Sequence, residues 1–230
     1  MGKLIIVSGP IGVGKSTVAE ISAKRLDATA IFETVKDHPT LDKFYKAQEK
    51  YGESLLFTHL TEYNYTSFET QMFFLSDRWH KHNQALISDK TIIADRSIYE
   101  DAIFAKVLKN EGGMTEIDYH RIYKPLFNTL TGFLRQPDLN IYLYAPVEVL
   151  QQRIAKRNRS IECNIPKKYL EALSAEYDKW SDNYDGKILR IDTTKHDLSN
   201  ENEPYWFILE NKIRQALEMP AKKEVCNANN

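Results

Sequence analysis

The chain has 230 residues, 31 basic against 32 acidic side chains and a formal net charge of -1, which is enough for one α/β domain with a sizeable core and leaves no global field to recruit nucleic acid or an anionic membrane. Its two cysteines, Cys163 and Cys226, lie far apart, which excludes a disulfide framework or a zinc site and points to a reducing compartment. No stretch approaches the length of a membrane span, and a phosphate-binding motif that begins at Gly9 leaves no room for a signal peptide, so a cytoplasmic enzyme is expected.

The apolar run Lys3-Leu4-Ile5-Ile6-Val7-Ser8 reads as a buried strand. It passes directly into Gly9-Pro10-Ile11-Gly12-Val13-Gly14-Lys15-Ser16-Thr17, the pattern G-x-x-x-x-G-K-S, and Val18 to Leu26 then continues as a helix with an apolar stripe. A glycine-rich turn without a ligand would not need this pattern, strand and helix together. Gly9, Gly12 and Gly14 let the backbone aim N–H groups at an anion, and the helix adds its positive end. Lys15 is expected to reach the β- and γ-phosphates and the Ser16 hydroxyl to ligate Mg²⁺, with Thr17 completing the nucleotide-binding set.

Ala28 to Phe32 reads as a second strand ending at Glu33. A carboxylate at the carboxyl end of a strand is either a site group or an ordinary loop glutamate. Leu41 to Lys50 is a short amphipathic helix carrying Phe44 and Tyr45, Tyr51 to Tyr65 is aromatic-rich and read as irregular, and a long helix follows from Ser67. Its apolar face is Phe68, Met72, Leu75, Trp79 and Leu86. Gln71 and Arg78, two turns apart, share one side, where they are either solvated or line a site.

Thr91 to Ala94 is a third strand closing on Asp95-Arg96-Ser97. Asp95 there either holds Mg²⁺ or its water, or caps the helix from Ile98 to Leu108, and both roles can coexist. After Gly112-Gly113, a helix runs from Thr115 to about Leu134, which Pro125 should bend or deprive of one hydrogen bond. Its Ile117, Ile122, Leu126, Phe127 and Leu130 fill a core or a dimer face.

Leu139 to Tyr144 is a fourth strand, and Pro146 starts a helix carrying Arg153, Lys156 and Arg157 that leads through Arg159 into Ser160 to Pro166. This reads as a basic flap that closes over phosphates and expels water. Lys167 to Tyr184 is helical, with Tyr169, Leu170, Leu173, Tyr177 and Trp180 on its apolar side. Lys187 to Ile191 is a fifth strand ending at Asp192, Pro204 to Leu217 is the last helix, and Ala221 to Asn230 reads as a disordered tail. Strands alternating with helices predict one α/β domain over residues 1–220, with a five-stranded parallel sheet covered by helices on both faces, a basic lid and the P-loop NTPase fold.

Taken together, Gly9-x-x-x-x-Gly14-Lys15-Ser16, Glu33, the segment Q-M-F-F-L-S-D-R from Gln71 to Arg78, D-R-S-I-Y-E-D from Asp95 to Asp101 and R-x-x-x-R-x-R from Arg153 to Arg159 resemble the deoxynucleoside kinases, most closely the bacterial deoxyadenosine/deoxyguanosine kinases. The resemblance extends to about Leu217. It implies an ATP- and Mg²⁺-dependent enzyme acting on a deoxynucleoside, with Glu33 accepting the proton of the 5′-hydroxyl. It further implies that Lys15, Arg96, Arg153 and Arg157 neutralise the transferring phosphoryl group, with Asp95 linked to the metal. Gln71 would pair with the base edge, beside an Arg78–Asp101 pair that favours a deoxypurine, deoxyadenosine first. Glu162 and a tyrosine would hold the sugar, Tyr45 by its place after His38-Pro39, with Tyr63 and Tyr65 as alternatives because the segment up to Gln71 is longer than the pattern. Thr34 stands where many members have proline, and Asp192 to Lys195 falls at the position of an adenine-binding loop. A homodimer is also implied.

The nearest rival is a nucleoside monophosphate kinase of the thymidylate kinase type, but a carboxylate at Glu33 would repel an acceptor phosphate. A nucleotide-binding regulatory module would need neither base-recognition residues nor a flap, and the near-zero charge disfavours a nucleic-acid-binding ATPase.

Overall fold

The structure, a computed structural model, describes residues 2–34, 38–51, 57–159 and 165–222. Leu4–Ser8 forms β1, every residue of which is buried, because it runs through the centre of a parallel sheet whose strand order is β2-β3-β1-β4-β5. The partners are β2 (Thr29–Ile31), β3 (Ile92–Asp95), β4 (Leu139–Tyr144) and β5 (Ile188–Asp192). A strand covered on both faces has no wet side, which is why its sequence is continuously apolar rather than alternating.

The helices are α1 (Lys15–Leu26), α2 (Leu41–Tyr51), α3 (Phe57–Leu86), α4 (Ile98–Asn110), α5 (Lys124–Gly132), α6 (Val147–Arg157), α7 (Lys167–Asp182) and α8 (Tyr205–Ala216). Ile5 and Val7 of β1 pack with Val18 of α1 and with Trp206, Leu209 and Ile213 of α8. Leu4 and Ile6 turn the other way, towards Ala85 of α3. The register pairs Val7 with Asp95 and Ser8 with Tyr142, so the carboxyl ends of β1, β3 and β4 finish at one edge, where ligands of open α/β sheets collect.

Two expected elements differ. The stretch Tyr51 to Tyr65, expected to be irregular, mostly belongs to α3, a single helix of 30 residues. Tyr63 is buried there and stacks on Phe44 of α2 at 6.4 Å, so tertiary burial decides a segment whose dense aromatics mask the helical period. The helix expected from Thr115 to Leu134 instead contains a π-helical segment, Asp118–Tyr123, ahead of α5. Pro125 thereby falls in the first turn of α5, where a missing N–H costs little. At the carboxyl end, the Lys222 N–H donates to Asn211 at 2.8 Å and its ammonium pairs with Glu210 at 3.0 Å; the rest of the expected tail lies outside the described residues.

Leu209 is fully buried beneath the central strand. Leu209→Ala is expected to lower the free energy of unfolding by about 2–5 kcal/mol in urea titrations, with an unchanged m-value.

Candidate active site

The loop between β1 and α1 turns through left-handed glycines. Gly12 (φ +83°) approaches α6 so closely that a Cβ would lie 2.9 Å from the Leu150 carbonyl oxygen and 2.8 Å from Ile154. Gly14 (φ +102°) caps α1 and opens onto free space. The first turn of α1 holds no acidic residue, so its positive end is not neutralised from within. The Gly9 N–H donates to Glu100 at 3.3 Å and its carbonyl accepts from Arg96 at 3.1 Å, which ties the start of the loop to α4 and to the end of β3.

Lys15 is buried and donates to the Pro10 carbonyl at 2.8 Å. Burial, then the neighbouring Arg96, push its ammonium down to about 7 against the pull of Asp95, Glu33 and Glu100. The Ser16 hydroxyl donates to Asp95 Oδ2 at 2.5 Å, while Asp95 Oδ1 is buried without a partner. This juxtaposition follows from the β1–β3 register, which puts the end of β3 beside the start of the loop.

The next residue, Arg96, has φ +73°, a conformation that costs a side-chain-bearing residue energy and persists only where the surroundings hold it. They do so here. Arg96 Nε donates to Glu33 Oε2 at 3.0 Å and Nη1 donates to the Gly9 carbonyl and to the Tyr177 hydroxyl. The other oxygen of Glu33 accepts from Arg78 Nη2 at 2.5 Å. Burial alone would raise the Glu33 carboxyl, but the charges of Arg96 and Arg78 bring it down to about 2, so it stays ionised across the neutral range.

Arg78 also reaches Asp101, Nη1 to Oδ1 at 2.6 Å. Gln71 Nε2 donates to Asp101 Oδ2 at 2.8 Å, as does the Tyr123 hydroxyl, also at 2.8 Å. Asp101 is wholly buried and does not line the cavity. It stands directly behind Gln71 and Arg78, both of which do line it. A cavity of about 750 Å³ runs from Gly12 through Thr17 past Glu33, Asp95 and Arg96 to Tyr45, Gln71, Phe74 and Arg78.

Of the three candidate tyrosines only Tyr45 lines this cavity. Tyr63 is buried against Gly113, and Tyr65 is 66% exposed. Tyr169 lines the cavity although its sequence position reads only as part of an apolar stripe, and Thr193 and His196 to Ser199 line it from the loop after β5. The neighbouring Asp192 organises the turn of this loop: its carboxylate accepts from the Thr194 N–H at 3.0 Å and hydroxyl at 2.6 Å. Arg157 and Arg159 line the cavity, as expected of a basic flap. Arg153 lines it too, and its guanidinium donates to Thr193 (2.7 Å to Oγ1, 2.8 Å to the carbonyl) and to the Val13 carbonyl at 3.3 Å, bridging two loops. Glu162 lies outside the described residues.

The family model for deoxynucleoside kinase matches residues 5–216. The chain is 32% identical over 202 residues to the deoxyadenosine/deoxycytidine kinase of Bacillus subtilis (strain 168), with 86% of each chain covered. The structure of deoxyadenosine kinase from M. mycoides with the products dCMP and a flexible dCDP bound is similar at a TM-score of 0.75 and 28% identity, covering 92% of this chain and 99% of that one. The same enzyme with bound dATP gives a TM-score of 0.70 at 28% identity, covering 84% and 91%.

Replacing Arg78 leaves Asp101 as a buried, uncompensated charge. Arg78→Leu is expected to cost about 3–5 kcal/mol at pH 8. Burial holds the Asp101 carboxyl above its ordinary value against the opposing pull of Arg78; without that arginine it rises further, so the variant loses more stability than the wild type as pH rises through the Asp101 titration. The deficit relative to the wild type should therefore shrink in denaturant titrations at pH 5.

Proposed function

The chain belongs to the deoxynucleoside kinase family and phosphorylates the 5′-hydroxyl of deoxynucleosides; we propose that deoxyadenosine is the preferred substrate, ahead of deoxyguanosine and deoxycytidine, with ATP as donor and Mg²⁺ as cofactor. The observation that carries this reading is the place of Glu33, an ionised carboxylate between the arginine of the phosphate end, Arg96, and the arginine of the base end, Arg78. A neutral hydroxyl can approach that carboxylate. An acceptor phosphate would be repelled by it, which argues against a monophosphate kinase.

Phosphoryl transfer passes through a loose transition state, so position and charge neutralisation dominate. As the 5′-oxygen bonds to the γ-phosphorus and the bond to the bridging oxygen breaks, the hydroxyl proton moves to Glu33. A carboxylate of such low basicity takes the proton late, which suits a transition state with little bond formation. Arg96, tied to both Glu33 and the phosphate loop, is placed to balance charge developing between them. Burial lowers the Lys15 ammonium to about 7, and a polyphosphate beside it would favour the charged form. Arg157 and Arg159 add positive charge at the same end of the cavity.

The Ser16 hydroxyl and Asp95, with its buried and unpartnered Oδ1, are a fitting donor set for Mg²⁺. No group of three or more His, Cys, Asp or Glu side chains suited to a metal occurs among the described residues. That accords with an ion held by one carboxylate and one hydroxyl and otherwise by phosphate oxygens and water. When bound, Mg²⁺ would neutralise the phosphate oxygens and orient them.

Base preference rests on Gln71 and the buried Arg78–Asp101 pair, which suit a base presenting an amino group and a ring acceptor. The Bacillus subtilis relative, named a deoxyadenosine/deoxycytidine kinase, fits the same chemistry. Tyr45 and Glu162 are the proposed sugar ligands. Ile117, Ile122 and Leu126 are 69%, 44% and 36% exposed in the single chain, and we assign this apolar face to a homodimer. No helix among the described residues is long and apolar enough to cross a membrane, and a cytoplasmic location is proposed.

ATP- and Mg²⁺-dependent phosphorylation of deoxyadenosine, deoxyguanosine, deoxycytidine, thymidine and their monophosphates tests the reading. Deoxyadenosine should lead and thymidine should be poor; reaction with monophosphates alone would overturn it. Glu33→Gln should keep ATP and nucleoside binding but lose about 10²–10⁴ in kcat. Ile122→Asp should shift the sedimenting species from dimer to monomer.

A further inference from the structure

Arg96 faces two carboxylates, the partly buried Glu33 at the proposed reaction centre and the wholly buried Glu100 in the first turn of α4 behind it. Both are ionic partners, yet only one is a productive direction for its guanidinium. Arg96 Nε lies 3.0 Å from Glu33, whereas Nη1 stays 3.5 Å from Glu100. The Tyr177 hydroxyl accounts for this difference. It accepts from Arg96 Nη1 at 2.5 Å and donates to Glu100 Oε2 at 2.7 Å, standing between the two charges.

The surrounding groups fix this arrangement. Glu100 is wholly buried and accepts from the Ser97 N–H at 3.0 Å and the Gly9 N–H at 3.3 Å, so it is anchored to the start of α4 and to the phosphate loop. The Arg96 guanidinium lies 4.7 Å from the Phe104 ring centre, and the edge of Phe104 meets Tyr177 at 6.2 Å. Tyr177 belongs to α7 and is itself wholly buried, stacked 6.1 Å from Tyr142. A helix that starts just beyond the basic segment therefore places one hydroxyl at the back of the reaction centre.

We infer that Tyr177 is a positioning residue for phosphoryl transfer, a hydroxyl spacer that keeps Arg96 from closing onto Glu100 and so holds its guanidinium against Glu33 and the phosphate loop. This rests on the kinase reading of Arg96. Without the hydroxyl, the direct Arg96–Glu100 pair is the nearest way to satisfy both charges, because a buried carboxylate that loses a donor draws the closest cation. Arg96 then withdraws from the reacting oxygens. Ground-state binding of ATP depends on Lys15 and the loop backbone and is little changed, so the loss falls on kcat.

The test compares Tyr177→Phe with Tyr142→Phe. Tyr142 stacks in the same cluster and also loses a buried hydroxyl, one that donates to Asp178 at 2.7 Å, but it has no bond to Arg96. Steady-state kinetics with ATP and the best deoxynucleoside, together with thermal melts, should show similar stability losses for the two variants. Tyr177→Phe should lose about 10- to 100-fold in kcat with both KM values within about twofold of the wild type, and Tyr142→Phe should keep kcat within about twofold. Should Tyr177→Phe be too unstable to purify, adding Glu100→Gln removes the charge that would draw Arg96, and the double variant should keep kcat within about tenfold of the wild type; a larger loss would overturn the inference. Full turnover in Tyr177→Phe, equal kcat losses in the two tyrosine variants, or a loss confined to KM would overturn the inference. A wild-type enzyme inactive on every deoxynucleoside would instead overturn the kinase reading itself.

Discussion

The interaction on which the structure depends is the ionic chain Asp101–Arg78–Glu33–Arg96, every member of it buried or nearly so. Its members come from α4, α3, the end of β2 and the end of β3, elements far apart in sequence. Exposed ion pairs such as Lys46–Asp42 contribute about 0–1 kcal/mol and constrain little. A buried chain differs in kind. Each charge is tolerated only because its neighbours are in place, so loss of one member leaves the next uncompensated. Such a chain is a poor source of net stability and a strong specification of geometry, and geometry is what phosphoryl transfer requires.

The sheet sets up this chain. Because β1 lies between β3 and β4, the phosphate loop opens beside Asp95 and Arg96. The left-handed backbone at Arg96 turns its side chain from the end of β3 back across the first glycine of the loop. The strain is local and of order 1–3 kcal/mol. It is offset by the bonds that Arg96 makes to Glu33, Gly9 and Tyr177.

Much of this was legible in the sequence. The strand, loop and helix of the phosphate site follow from local composition, and Glu33 and Asp95 are visible because each ends an apolar strand. Gln71 and Arg78 are placed on one side of a helix by spacing alone. Less legible were features set by packing at long range. Tyr169 and Tyr177 both fit an apolar stripe, but one lines the cavity and the other sits behind Arg96, and helical periodicity does not distinguish those places. Arg153 belongs to a basic run, yet the approach of the loop after β5 takes up its guanidinium. The helical start of α3 was hidden because Tyr63 and Tyr65, two positions apart, do not follow the helical period that burial of Tyr63 against α2 reveals.

One consequence of the ionic chain concerns the link between recognition and chemistry. Arg78 donates through Nη1 to Asp101, which also holds Gln71, and through Nη2 to Glu33, the proposed proton acceptor. Its guanidinium is planar and rigid, so a base that alters the orientation of Arg78 at one end alters the surroundings of Glu33 at the other. With two arginines on Glu33 its basicity is at its lowest. Any weakening of the Arg78 bond on nucleoside binding would make the carboxylate a better proton acceptor just when the 5′-hydroxyl is beside it. With Glu33 in the proposed role, this single shared arginine would couple the fit of the base to the chemistry of the sugar hydroxyl, without a moving element between them.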